Sequence, residues 1–244
     1  MRMSKNKNKI NYQKLHELCF LERDKLYEIN ESNNFINFST RLGDIENDPF
    51  IGFVGSMYSS AKVKVLFLGK SNAESALKLQ DKDKLINCSF KKFKNCDRDF
   101  SLNYRDYAKQ YSDEISGAFW DWGITQFPNY FRNHVGLDIE EIAYANIVPY
   151  RYKGAPNIEV YRIAFKMFTN KLISIIAPDQ IIPLGANLDS NIINRFINDV
   201  QMPLKISKGI SREGRDKRIS EEGYRTLNLA INNYRKLITE KNYE

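Results

Sequence analysis

The chain has 244 residues, 42% of them hydrophobic and 13% aromatic, and a formal net charge of +7; this content suits one sizeable folded α/β domain and excludes a disordered polyelectrolyte. No apolar run reaches membrane-spanning length and the first residues lead into no signal-like apolar core, so a cytoplasmic protein that touches no membrane is expected. Cys19, Cys88 and Cys96 are too few for a four-cysteine iron–sulfur cluster, and with His16 and His134 they match no familiar metal spacing; no metal and no cofactor are expected.

Residues 1–10 form a lysine-rich lead expected to be disordered, and 11–244 read as a single domain. Leu15, Leu18, Cys19 and Leu26 recur at helical spacing from Asn11 to about Asn30. Residues 31–60, rich in Asn, Ser, Gly and Asp, read as a loop packed onto the domain. Then Val65-Leu66-Phe67-Leu68 reads as a strand buried on both faces, ending at Gly69. A tight turn at Gly69 and a helix N-terminus after it would offer free N–H groups, which makes Lys70, Ser71, Asn72 and Glu74 candidates for chemistry. Gly69-Lys70-Ser71 is not a phosphate-binding P-loop, because that motif needs a glycine where Lys64 stands inside the strand.

A polar insertion at about 78–112 interleaves Lys91, Lys92, Lys94, Arg98 and Arg105 with Phe93, Tyr104 and Tyr107. It suits either a nucleic-acid-facing surface or a solvated loop. Aromatic-rich helices should follow over 112–134, with Trp120 and Trp122 among them. A second strand, Ile142 to Val148, carries Asn146 in an apolar run, where the amide either caps structure or reads a ligand edge. The face Val160, Ile163, Ala164, Met167, Phe168, Leu172 and Ile175 predicts a helix, Gln180 to Gly185 a third strand, 186–200 a short helix and Met202 to Ile206 a fourth strand. Alternating strands and helices imply a three-layer α/β/α fold around a mainly parallel four-stranded sheet. Lys205 to Arg218 holds six Lys or Arg against Glu213 and Asp216, a basic loop suited to a phosphate backbone, and a helix closes the chain from Glu221. The basic balance fits a nucleic-acid partner or an AT-rich coding bias.

The order of three blocks, spanning about residues 63–190, resembles the uracil-DNA glycosylase superfamily. Val65 to Asn72 is similar to its first motif, a strand ending in Gly and a water-activating residue. Tyr144 to Arg151 with Pro156-Asn157 resembles the strand whose asparagine reads the base, and Leu172 to Ala186 is similar to its helix and "P-x-x-I-x-x-L-G-x-A" strand. The resemblance implies a monofunctional glycosylase, monomeric, acting on double- or single-stranded DNA without a cofactor. Asn72 or Ser71 would place the water with Glu74 in reserve; Gly69, Lys70 and Asn146 would bind the base; Trp120 or Trp122 would stack on it; Lys208, Arg212, Arg215 and Arg151 would hold the phosphates. The chain departs from the pattern by lacking the proline after the first motif and the histidine of the last one, whose loop is here Ser207 to Arg215. These departures and the polar insertion point away from uracil towards a larger, modified base, such as glucosylated hydroxymethylcytosine in phage DNA. A non-catalytic DNA-binding member of the fold is the alternative; an unrelated hydrolase would need a Gly-x-Ser-x-Gly elbow or a dinucleotide fingerprint, and neither is in the sequence.

Overall fold

The computed structural model describes residues 10–20, 51–72, 88–115, 127–151, 158–184, 205–206, 212–213 and 218–243. The expected lead as far as Lys9, Glu74, the two tryptophans, the helix of 186–200 and the residues Lys208 and Arg215 lie outside them, and Ile10, the last residue of the lead, is buried in the core. In chain order the elements are α1 (Tyr12–Glu17), β1 (Phe53–Val54), β2 (Val65–Asn72), α2 (88–94), α3 (Phe100–Ile115), α4 (Phe127–Val135), β3 (Ile142–Arg151), α5 (Ile158–Ala164), α6 (Asn170–Ile176), β4 (Gln180–Pro183), β5 (Lys205–Ile206), β6 (Arg212–Glu213), β7 (Arg218–Ile219) and α7 (Glu221–Glu240).

Five strands form one sheet in the order β1-β3-β2-β4-β5. Four of them, β3, β2, β4 and β5, run parallel. The fifth, β1, pairs antiparallel with the start of β3, through Phe53↔Tyr144 and Val54↔Ala143, in a stretch the sequence reads as loop. Two residues are too short for an alternating pattern to show. The central parts of the parallel strands are mainly apolar, with Val65 to Leu68 and Ile142 to Val148 buried, because helices cover both faces.

Register and alternation decide which residue looks where. Phe67, Tyr144 and Ile182 are lateral neighbours on one face, with Gly69 and Asn146 next along it. That face meets α4 and α7: Phe67 makes an edge contact with Phe131, Phe131 with Tyr234, and Gln180 Nε2 donates to the Ala230 carbonyl at 3.0 Å. On the other face Gly52, at φ +85°, lies against Ala145, and a Cβ there would meet the Ala145 Cβ at 3.0 Å. The Gly52 carbonyl accepts from Tyr104 and Tyr107 of α3, and α1 packs against both α3 and α6.

The last contact corrects a sequence expectation. Phe93, Tyr104 and Tyr107 are fully buried and pack on one another edge to face, so they offer nothing to a nucleic acid. Burial pushes both phenols far above their ordinary pKa, which keeps them neutral. The long helix of Val160 to Ile175 is present, interrupted by one π turn at Phe165–Thr169 where the Thr169 hydroxyl donates to the Ile147 carbonyl at 3.1 Å. Ala177 ends it in the left-handed conformation. Ser220 caps α7 by accepting from the Gly223 N–H at 2.9 Å, with Glu221 and Glu222 in the first turn to favour the helix dipole. Among the described residues no helix is long and apolar enough to cross a membrane.

Candidate functional site

Because β3, β2, β4 and β5 are parallel, the chain leaves all four at one rim. From β2 it steps outward to β3, then crosses back to β4 on the other side of β2. The connections leaving β2 and β4 therefore diverge, which is the arrangement that opens a ligand crevice in a parallel sheet. β2 also outreaches β4. Its ladder with β4 closes at Leu68↔Pro183, with the Leu184 N–H donating to the Leu68 carbonyl at 2.8 Å. Its ladder with β3 continues through Gly69↔Asn146 and Ser71↔Val148 to Asn72↔Arg151. The register shifts between the last two pairs, where β3 carries Pro149, which has no N–H to give the ladder.

The centre of this rim is Gly69 beside Asn146. The expected tight turn at Gly69 is not there: the residue is extended within β2, and strand geometry runs on through Lys70, Ser71 and Asn72. Its lack of a side chain serves a different purpose. A Cβ at position 69 would overlap the Asn146 Oδ1 and come within 3.0 Å of the Tyr144 hydroxyl. The Asn146 amide thus occupies the space a side chain at 69 would fill. Asn146 is 1% exposed, and its Oδ1 accepts from the Tyr144 O–H at 3.0 Å. A buried amide without partners would cost several kcal/mol, on the order of 2–7. Here the strand period supplies one, since residues 144 and 146 look to the same face.

Beneath them the layer is apolar. Phe67 meets Phe131 edge to face and Phe131 meets Tyr234 in the same way, and burial, with Glu141 nearby, pushes the Tyr234 phenol up to about 12. A hydrogen bond made in such surroundings is stronger than one in water.

The sequence-selected residues divide into three groups. Gly69 and Asn146 are brought together as lateral partners. Lys70, Ser71 and Asn72 lie on the same strand just beyond, and Arg151 is the ladder partner of Asn72. Arg212 belongs to a separate two-stranded hairpin, β6 with β7, where the sequence reads loop, and its register partner is Ile219. Glu74, Trp120, Trp122, Lys208 and Arg215 fall outside the described residues. Sequence reasoning missed Tyr144 as a member of the site. The signal was present: a phenol two residues before an amide in a strand looks to the same face and has the length to reach it.

No family model matches this chain, and no curated protein matches it.

Proposed function

We propose that the protein is a DNA glycosylase that hydrolyses the N-glycosidic bond of a flipped, modified base and leaves an abasic site, with glucosylated hydroxymethylcytosine of phage DNA as the candidate substrate. The observation that carries the reading is the buried Asn146 amide seated over Gly69, on two adjacent parallel strands just beyond the point where the ladder to β4 closes. A base leaving the stack must be read by fixed polar groups inside a dry pocket, and an amide held this way offers its N–H donor with little reorganisation. In the reaction the C1′–N bond breaks, the base departs with its electron pair, and water oxygen bonds to C1′ while its proton is released. Positive charge on the sugar and negative charge on the base build together. Asn72 or Ser71, three and two residues beyond Gly69, orient the water in this reading, with Glu74 as the carboxylate in reserve. Lys70 sits beside the base, Trp120 or Trp122 stacks on it, and Lys208, Arg212, Arg215 and Arg151 hold the phosphates.

The test is incubation with phage DNA containing modified or unmodified cytosine, followed by scoring of abasic sites. Release is expected from the modified DNA, and equal inertness on both ends the reading. Asn72→Ala and Asn146→Ala should abolish release while leaving DNA binding within about threefold, since phosphate contacts dominate affinity. A second reading, a DNA-binding module without chemistry, is favoured by the near-complete burial of Asn146. It requires Asn146→Ala to lower the melting temperature and to change nothing else on DNA.

A further inference from the structure

Oxygen and nitrogen of the Asn146 amide are not equivalent in this site. Oδ1 has Tyr144 Oη at 3.0 Å on one side, donating. On another side lies the Gly69 backbone, so close that a Cβ built there would overlap the oxygen. Both are protein atoms, and both sit on the buried face towards α4 and α7. The amide oxygen is thereby turned into the protein. Nδ2 carries two hydrogens and can serve a ligand acceptor beside any protein partner it has. Tyr144 is itself 6% exposed and held in β3, so its hydroxyl cannot swing away cheaply.

Pyrimidines differ at the middle of the edge an amide would read. Uracil and thymine present an N3–H donor there, and cytosine presents an unprotonated N3 acceptor. An amide with a free oxygen pairs with uracil through both of its atoms. With the oxygen closed off, the uracil N3–H is buried without an acceptor, which is the costly outcome. Resting on the glycosylase reading, we propose that Tyr144 is a positioning residue that locks the Asn146 oxygen inward, so that the site takes a base with an acceptor at N3, the cytosine class, over uracil or thymine. Substituents at C5 leave this choice intact, because they lie off the N3 edge.

The experiment measures binding of the full chain to duplexes carrying one unpaired 5-hydroxymethylcytosine, uracil or 3-deazacytosine, in which C–H replaces N3. The protein should favour 5-hydroxymethylcytosine over uracil by about tenfold, and over 3-deazacytosine by a similar factor. Tyr144→Phe, which removes one oxygen, should free the amide and narrow the preference over uracil to within about threefold. A purely structural role for the phenol would lower the melting temperature and leave this ratio unmoved. The 3-deazacytosine arm needs no variant, so it decides the matter even if Tyr144→Phe fails to fold. Indifference to 3-deazacytosine, or a preference over uracil untouched by Tyr144→Phe, overturns the assignment while the base-release test still stands for the function. Failure to bind DNA in any form overturns both.

Discussion

At the N-terminal edge of the sheet, Asp179 accepts from the Lys64 N–H at 2.8 Å and pairs with Lys241 at 2.7 Å, while the Lys64 carbonyl accepts from the N–H groups of Asp179 and Gln180. At the opposite edge the Asn146 amide rests over a glycine and accepts from the Tyr144 phenol. The first arrangement is closed: charge meets charge, and the end of α7 is tied to the start of β4, helped by a Lys62 to Asn242 hydrogen bond. The second is a placement, with backbone space cleared so that one polar group sits at a chosen point. An arrangement that contributes stability and one that contributes position should respond differently to the same kinds of perturbation.

Alkaline pH acts on the first kind most strongly. Tyr58, beside Asp179, is fully buried, and among the described residues its hydroxyl has no hydrogen-bond partner. Burial first, then the Asp179 charge, raises its pKa well above 10; burial does the same for Tyr104 and Tyr107. Folded pKa values above the unfolded one mean that the folded state holds protons the unfolded chain releases. The associated stability is complete below pH 10 and is lost as pH climbs above it. The unfolded phenol is half ionised at pH 10 and almost fully at pH 11, so each contributes about 1 kcal/mol over that interval and three together give a loss of roughly 3 kcal/mol. Denaturant unfolding at stepped pH should show this slope, and the 295 nm phenolate signal of these rings should appear only with unfolding. Ring resonances assigned to Tyr58, Tyr104 or Tyr107 that titrate in the folded protein at pH 10 would show that the ring concerned is open to solvent, which the summed absorbance of fourteen tyrosines does not show.

Asp179→Ala comes next in size. It leaves the Lys64 N–H without its acceptor and Lys241 without its carboxylate, at a cost of about 2–3 kcal/mol. For a chain of this length that is a fall in Tm of roughly 4–12 °C. Burial lowers the Lys64 pKa, the Lys241 charge adds to this, and the Asp179 charge works against both; removing Asp179 should lower it further. Base release per folded molecule should stay within twofold. If it falls with Asp179→Ala, the division between the two edges is wrong.

Gly69→Ala reverses the pattern. One methyl group forces the Asn146 amide from its seat, costing about 1–3 kcal/mol as an overpacked site does. In the proposed function the effect on base release should be far larger, about 100-fold or more, since small misplacements at a reacting centre have that consequence. Thermal melting and abasic-site scoring on the same samples separate the two quantities. An alanine variant that melts normally and acts normally would mean that the amide does not need its place.

Much of this was legible in the sequence. The apolar runs of β2 and β3 and the helical face from Val160 to Ile175 needed only periodicity. Gly69 and Asn146 were legible as residues of one rim, though not as register partners, because register between strands is set by long-range pairing. Gly69 reads as a turn in the sequence because glycine more often serves backbone freedom than side-chain room. The stretch from 88 to 115 misled for a related reason. Its polar residues dominate the composition, while the partner that buries Tyr104 and Tyr107 is the Gly52 carbonyl, more than fifty residues earlier. No local window contains both.

The smallest stability effect is expected from Arg212→Ala, on the β6–β7 hairpin outside the main sheet. In the proposed function Arg212 meets a phosphate, so its loss should cost the fold no more than about 0.5 kcal/mol, as surface substitutions do. It should instead reduce the slope of log K against log salt by about 1, uniformly across sequences and base types. Tyr144→Phe should do the opposite, moving base preference with no change in salt slope. The two variants thereby separate a surface that holds DNA by charge from a rim that reads a base by hydrogen bonding. If Arg212→Ala shifts base preference instead, the hairpin reaches into the pocket, and the reading edge is wider than Gly69, Tyr144 and Asn146 alone.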